Sequence, residues 1–182
     1  MTERLETARL ALRPPEAKDA GAYAVMFGDP RVTRWLGDGT TLAPEQVPDR
    51  IERMRAHWRR YGVGLFSVLR KEDESVIGRV GLLLWDVASW RNGLRVAELR
   101  GQIETEIGWS IAHAEWGKGY ATEAARAVRD WALGERGLRR LISLIYVGND
   151  ASVRVATKIG ERLEREGIDA FVHPANLYAL NT

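Results

Sequence analysis

Residues 106–124 read Glu106-Ile-Gly-Trp-Ser-Ile-Ala-His-Ala-Glu-Trp-Gly-Lys-Gly-Tyr-Ala-Thr-Glu-Ala124. The first half belongs to a strand-like run, Glu104–Ala112. The glycines follow it, and Ala121, Ala124, Ala125, Val128, Trp131 and Ala132 then fall on one face of a helix over Gly117–Leu133. A strand therefore runs into a glycine turn, and the turn opens a helix. The first turn of a helix leaves backbone N–H groups unpaired and carries a partial positive charge. Gly117 and Gly119 remove the Cβ atoms that would keep an anion from this backbone, and Tyr120, Ala121 and Thr122 offer further donors. Such a turn suits phosphate or pyrophosphate. A tight connection that simply needs glycine gives the same spacing. Two named phosphate motifs fit poorly. The dinucleotide fingerprint asks for Gly or Ala where Thr122 stands, and the P-loop asks for Gly-Lys-Ser/Thr where Gly119-Tyr120 stands.

Outward from this unit, helix-period and strand-period segments alternate, which predicts a layered α+β (α/β) fold in a single domain, 1–182. Leu10–Arg13 reads as a strand stopped by Pro14-Pro15. Ala20, Tyr23, Ala24 and Phe27 form a helical stripe ended by Gly28-Asp29-Pro30. Val47, Ile51, Met54 and Trp58 form another, with Pro44 and Pro48 tolerable only in its first turn. Arg50, Arg53, Arg55, Arg59 and Arg60 are expected to be its solvated face. Gly64–Arg70 and Val76–Trp85, joined by Lys71–Glu74, read as an antiparallel hairpin. Residues 86–99 follow no clean period and are predicted to be a long loop, with room for a short helix. Leu141–Val147 is a buried-strand run. Asn149 and Asp150 are N-cap candidates for a helix through Ile159, with Gly160 as its stop. Phe171-Val172 and Leu177–Leu180 read as closing strands. Hairpins and helical crossovers together make the sheet mixed.

Composition narrows the function classes. The chain has no cysteine, which excludes disulfide scaffolds, thiol nucleophiles and Cys-ligated zinc. His57, His113 and His173 lie far apart in sequence, so no metal site is expected. The net charge is +2, too small to argue for nucleic acid. No apolar run approaches the ~18–20 residues of a membrane span, and residues 1–7 carry no apolar leader, so a cytoplasmic location is expected.

The glycine segment, with its surroundings, resembles the GNAT acetyltransferases, and within them the RimJ/RimL-like branch that acetylates the N-termini of ribosomal proteins. The resemblance covers nearly the whole chain. Leu5–Pro14 is similar to the branch's opening strand, Phe27–Leu36 to its Asp-Pro turn and second helix, and Ile77–Leu82 to its third strand. Trp116-Gly-Lys-Gly-Tyr-Ala-Thr-Glu-Ala124 is similar to its acyl-CoA motif, and Asn149–Val155 with Lys158-Ile-Gly160 to the helix that follows. Two family features are missing. Ala114 stands where Gln or Arg commonly opens the motif, and Ala156 where many relatives carry a tyrosine general acid.

The resemblance implies a central mixed, mostly antiparallel sheet of about seven strands, with a splayed parallel pair and about four flanking helices. It implies bound acetyl-CoA as co-substrate. The pantetheine arm would run between the strands Glu106–Ala112 and Leu141–Val147, paired with backbone at Ser110, Ile111 and Ala112. The pyrophosphate would lie on Trp116, Gly117, Lys118, Gly119, Tyr120, Ala121 and Thr122, and Asn149 would meet the thioester end. An acceptor amine must be neutral to attack, yet a lysine-type amine has pKa ~10.4 and an α-amine ~7.7–8.0. Glu106 is the candidate base, with Glu104 on the same strand face. Ser152 is the candidate donor to the departing thiolate, and an N–H near Ile111 would meet the oxyanion. Glu123, in the first turn of the helix, reads as a dipole or capping residue. Trp35, Trp85 and Trp90 are candidates to line an acceptor pocket, while Trp58 and Trp131 read as core. The expected acceptor is a primary amine: a protein N-terminus first, and a small amine, amino acid or antibiotic second. A non-catalytic acyl-CoA-binding module is the competing class. A homodimer is compatible with such a fold.

Overall fold

A computed structural model describes residues 3–96, 98–168 and 172–182. Nine strands form one sheet: β1 (Leu5–Glu6), β2 (Leu10–Arg13), β3 (Leu65–Arg70), β4 (Val76–Asp86), β5 (Arg91–Asn92), β6 (Ile103–Ile111), β7 (Arg140–Tyr146), β8 (Arg162–Ile168) and β9 (Ala175–Asn181). The order is β1-β2-β3-β4-β6-β7-β9-β8, with β5 paired to β4. Every pairing is antiparallel except β6–β7, which is parallel. Five α-helices flank the sheet: α1 (Ala20–Gly28), α2 (Pro30–Thr33), α3 (Val47–Tyr61), α4 (Tyr120–Gly134) and α5 (Asp150–Lys158).

The sheet is buried on both sides, so its strands sort by face. Val80, Leu82, Ile107 and Leu141 pack with Ala124, Ala125, Val128 and Trp131 of α4 and with Val155 of α5. Leu65, Leu83 and Trp85 point the other way, against Tyr23, Met26 and Phe27 of α1 and Val47, Ile51 and Met54 of α3. Trp131 is buried as expected, and Trp58 is half-buried against Phe66, ring centroids 4.8 Å apart. Burying each Leu, Ile or Val side chain contributes roughly 1.5–3 kcal/mol, so these two layers hold the sheet on both faces.

The structure departs from the expectations at several places. Helix α4 begins at Tyr120, not Gly117, because Gly117 and Gly119 hold φ of +77° and +83°, outside the helical region. The loop predicted over 86–99 contains strand β5, which folds back so that Asn92 opposes Trp85. Strand β8 carries Arg162, Glu164, Arg165 and Glu166 and so shows no apolar face. It is an edge strand, where charge blunts pairing with other chains. Val172 lies in a bend rather than a strand, and Phe171 falls outside the described residues.

Arg53, Arg55, Arg59 and Arg60 do form the solvated face of α3, but Arg50 does not. It turns inward, with its guanidinium carbon 5.8 Å from the Phe27 ring centroid.

Candidate active site

Among the described residues the one register pair between β6 and β7 is Glu106 with Ile142. Beyond it the two strands diverge. The Ser143 hydroxyl donates to the Ile107 carbonyl at 2.8 Å, at the point of the wedge. Further along, the amide of Ala112 donates to the Ile77 carbonyl at 2.8 Å. Antiparallel alternation then assigns the backbone groups of Ser110 and Ala112 to β4 and turns those of Trp109 and Ile111 toward the gap. The Ile111 carbonyl already accepts the indole N–H of Trp116 at 2.7 Å. Of Ser110, Ile111 and Ala112, only Ile111 thus faces the gap, and it offers its N–H; the backbone of Ser110 and Ala112 serves the sheet.

A cavity of about 1360 Å³ opens from this wedge. Among the residues singled out from the sequence it is lined by Trp35, Trp85, Trp90, Glu106, Ser110, Ile111, Trp116, Gly117, Gly119, Tyr120, Ala121, Thr122, Asn149 and Ser152. Of the residues expected to hold the co-substrate, Ala112 and Lys118 do not line it, and the Lys118 ammonium pairs with Glu115 at 2.9 Å. The glycine turn therefore places the start of α4 at one end of the cavity and the β6–β7 wedge at the other.

The Glu106 carboxylate accepts the indole N–H of Trp85 at 2.6 Å. Burial pushes this carboxyl up to about 7, against the Trp85 bond, the charge of Arg79 and the Leu144 amide, which all favour the ionised form. Near neutral pH it can take a proton. Glu104 sits on the same strand face, but its carboxylate is bound to Arg140 at 3.0 Å, and Arg140 also holds Glu164 at 2.6 Å. Glu104 is a member of an ion-pair cluster that links β6, β7 and β8.

At the start of α5 the Asn149 side-chain oxygen caps the helix by accepting the Ser152 amide at 3.2 Å. The cap leaves the Asn149 amide nitrogen as the donor toward the cavity. Glu123 accepts from the Thr7 hydroxyl at 2.6 Å and from the Arg9 amide at 2.9 Å, and pairs with the Arg9 guanidinium at 2.6 Å. It ties α4 to the β1–β2 turn, in keeping with its reading as a structural residue.

Three further lining residues were not singled out as site residues from the sequence. The Tyr146 hydroxyl, at the end of β7, donates to the Gly37 carbonyl and joins the wedge to the turn after α2. Arg79 of β4 and Arg50 of α3 also line the cavity. Arg50 carried a usable signal: it lies three residues after Val47 and four before Met54, on the margin of the buried stripe. Among the described residues no three His, Cys, Asp or Glu side chains come together as a metal site, and no helix is long and apolar enough to cross a membrane.

Comparison with known proteins agrees with this layout. The acetyltransferase (GNAT) domain family matches residues 9–162. An uncharacterised Bacillus subtilis protein, YkkB, is 32% identical over 158 residues, covering 86% of this chain and 84% of its own. The uncharacterised N-acetyltransferase p20 of Bacillus licheniformis is 26% identical over 91% of this chain and 85% of its own. The crystal structure of an Agrobacterium tumefaciens acetyltransferase superposes with a TM-score of 0.76 at 28% identity, over 99% of this chain and 95% of that one. RimL, a ribosomal L7/L12 α-N-protein acetyltransferase solved in complex with coenzyme A, superposes at 0.78 with 15% identity, over 98% of both chains, a likeness of fold. With the family matched over most of its length, the chain belongs to the GNAT acetyltransferase family.

Proposed function

We propose that this protein transfers an acetyl group from acetyl-CoA to a primary amine by direct attack, with Glu106 as general base. The observation that carries the reading is the position of the Glu106 carboxyl: half-buried at the point of the β6–β7 wedge, facing the cavity, with a proton affinity near neutral. In this reading the pantetheine arm lies along the gap against the Ile111 N–H. The pyrophosphate lies on the amides from Gly117 to Thr122, where the helix dipole favours negative charge. Trp35, Trp85 and Trp90 line the acceptor end.

The acceptor ammonium loses its proton toward Glu106. The neutral nitrogen then attacks the thioester carbon, the C–N bond forms, and the C–S bond breaks. The thiolate leaves with a proton from Ser152, which lines the cavity in the first turn of α5, and the Ser152 oxygen takes up the second proton that the acylated nitrogen sheds to become the amide. A positioned base of this kind contributes typically 10²–10⁴-fold.

A protein N-terminal α-amine is the first acceptor class, on the resemblance to the RimJ/RimL-like branch. A small amine or amino acid is the second, and the arginines at the acceptor end favour it. Thiol release from acetyl-CoA across a panel of N-terminal peptides and small amines tests the transferase reading. Turnover that falls on the order of 10²–10⁴-fold in Glu106→Gln supports it. Tight binding of acetyl-CoA with no turnover on any amine would instead identify an acyl-CoA-binding module.

A further inference from the structure

Three hydrogen-bonding groups on the acceptor side of the cavity are buried without a partner: Nε of Arg50, Nη1 of Arg79 and Oγ of Ser110. Buried donors in folded proteins are almost always paired, and a guanidinium more so than most. Arg79 is only 7% exposed, and among the described residues neither it nor Arg50 forms a direct ion pair, although the charge of Glu106 acts on Arg79. The three groups belong together. Arg79 and Ser110 are register partners across β4 and β6. The guanidinium carbons of Arg79 and Arg50 lie 5.2 and 5.8 Å from the centre of the same Phe27 ring.

They also lie on the face of the sheet that carries Glu106. Side chains alternate along a strand, so Arg79, Leu83 and Trp85 of β4 share a face with Glu106 and Ser110 of β6. That face packs on α1 and α3, whereas α4 packs on the other. The pair thus lies on the face of the sheet opposite α4, in the cavity that the glycine turn also lines. Burial lowers the proton affinity of both arginines, that of Arg50 to about 9, and they repel one another, so two cations are held together there at a cost.

We infer that Arg79, Arg50 and Ser110 form a carboxylate-binding subsite, and that the acceptor is an amine carrying a carboxylate, its nitrogen at Glu106 and its anion on the two guanidiniums. The subsite rests on the transferase reading above and names its substrate class. The anion supplies the missing hydrogen-bond partners and the missing charge in one group, which a neutral amine cannot do. The same carboxylate chemistry is found on a free amino acid and on a polypeptide that begins with Asp or Glu. Both can reach a pocket with half-exposed Trp35 at its mouth.

The test is steady-state thiol release from acetyl-CoA with matched acceptors. Each free amino acid is run beside its carboxamide, and each tripeptide amide beginning with Asp or Glu beside the one beginning with Asn or Gln. In the wild type the carboxylate member of the preferred pair has kcat/KM at least tenfold above its neutral partner, mainly through KM. In Arg79→Met and, separately, in Arg50→Met that ratio falls toward one, while the Kd for acetyl-CoA measured by calorimetry stays within twofold. The arm in which the preference appears identifies the source of the carboxylate. Acetyl-CoA binding with no carboxylate preference in either arm, or with no turnover, overturns the subsite. So does a ratio that survives both substitutions, or a loss of acetyl-CoA affinity in Arg79→Met, which would assign these arginines to the donor. Failure of the wild type to bind acetyl-CoA at all would remove the transferase reading itself.

Discussion

The indole nitrogen of Trp85 and the carboxylate of Glu106 are 2.6 Å apart, on adjacent strands and one register step out of line: Trp85 opposes Glu104, and Glu106 opposes Leu83. The diagonal bond spends the one side-chain donor of Trp85 on the carboxylate at the point of the wedge. It favours the charged form of a group that burial holds near neutral.

The pH profile follows with a definite sign. A carboxylate base works when ionised, so log kcat/KM rises with pH and levels off above about 7, the value to which burial pushes Glu106. Trp85→Phe removes a hydrogen bond made to the ionised form, and the acidic limb moves to higher pH. At pH 6 the variant is slower by roughly several-fold, and the deficit shrinks toward pH 9. Glu106→Gln flattens that limb altogether. A Trp85→Phe profile with an unmoved limb would separate the indole from the titration.

Gly119 sets the aim of the first amides of α4. Its φ is +83°, in the left-handed region, and it precedes Tyr120 as the N-cap residue. An alanine there costs about 1–2 kcal/mol for the backbone alone. Its Cβ would also stand 3.5 Å from the Arg9 guanidinium, which bonds the Lys118 carbonyl at 3.0 Å. In Gly119→Ala the Kd for coenzyme A, read by calorimetry, is expected to rise about tenfold, while Gly134→Ala, at the far end of α4 with open space around it, leaves it unchanged.

The part of the cavity built by the glycine turn was legible in the sequence, and the part lined by Arg50 and Arg79 was not. Phosphate recognition relies on backbone, and the glycines at 117 and 119 announce backbone at fixed spacing, so the turn and its helix could be read directly. The β6–β7 pair could be placed from its apolar run, but which of its amides faces the gap depends on register, and Ser110 and Ala112 proved to serve β4. Arg79 was hidden by abundance: with 27 basic residues, most on the surface, nothing in the sequence marks it, whereas the place of Arg50 beside the Val47–Met54 stripe could have been noticed. Strand β8 escaped because charge on an edge strand erases the alternation by which strands are recognised.

The acid limit of stability should be governed by Asp19. It is buried with Arg13, to which it is bound at 2.7 Å, and it accepts the Ser67 hydroxyl at 2.7 Å. Burial alone would raise its pKa, but the Arg13 guanidinium, the Glu16 amide and Ser67 hold it below the usual aspartate value. A depressed carboxyl contributes stability above its unfolded pKa and loses it as pH falls through the folded one. Asp19→Ala leaves a buried guanidinium unpaired and should cost ~3–5 kcal/mol in urea denaturation at pH 7, less as the pH approaches 3.

Glu161 should act in the opposite sense. Both its carboxyl oxygens are buried without a hydrogen-bond partner, just beyond the end of α5. Burial pushes the group up to about 8, and the negative charge of Glu106 adds to this; the nearby Ser143 offsets only part, its own proton being donated to Ile107. Between the unfolded value near 4.3 and about 8, folding takes up a proton at this site, so the native state loses stability as pH rises. Glu161→Gln keeps the shape and removes the titration. Its advantage over the wild type in urea denaturation should therefore grow with pH, on the order of 1–3 kcal/mol more at pH 8 than at pH 5. An advantage that did not change with pH would mean that Glu161 is already ionised in the native protein and held by a partner. Because the charge of Glu106 bears on Glu161, the acidic limb of activity should also move slightly to lower pH in the variant if Glu161 carries charge in the working range. Stability and kinetics measured on one substitution thus report the protonation of the same carboxyl from both sides of β7.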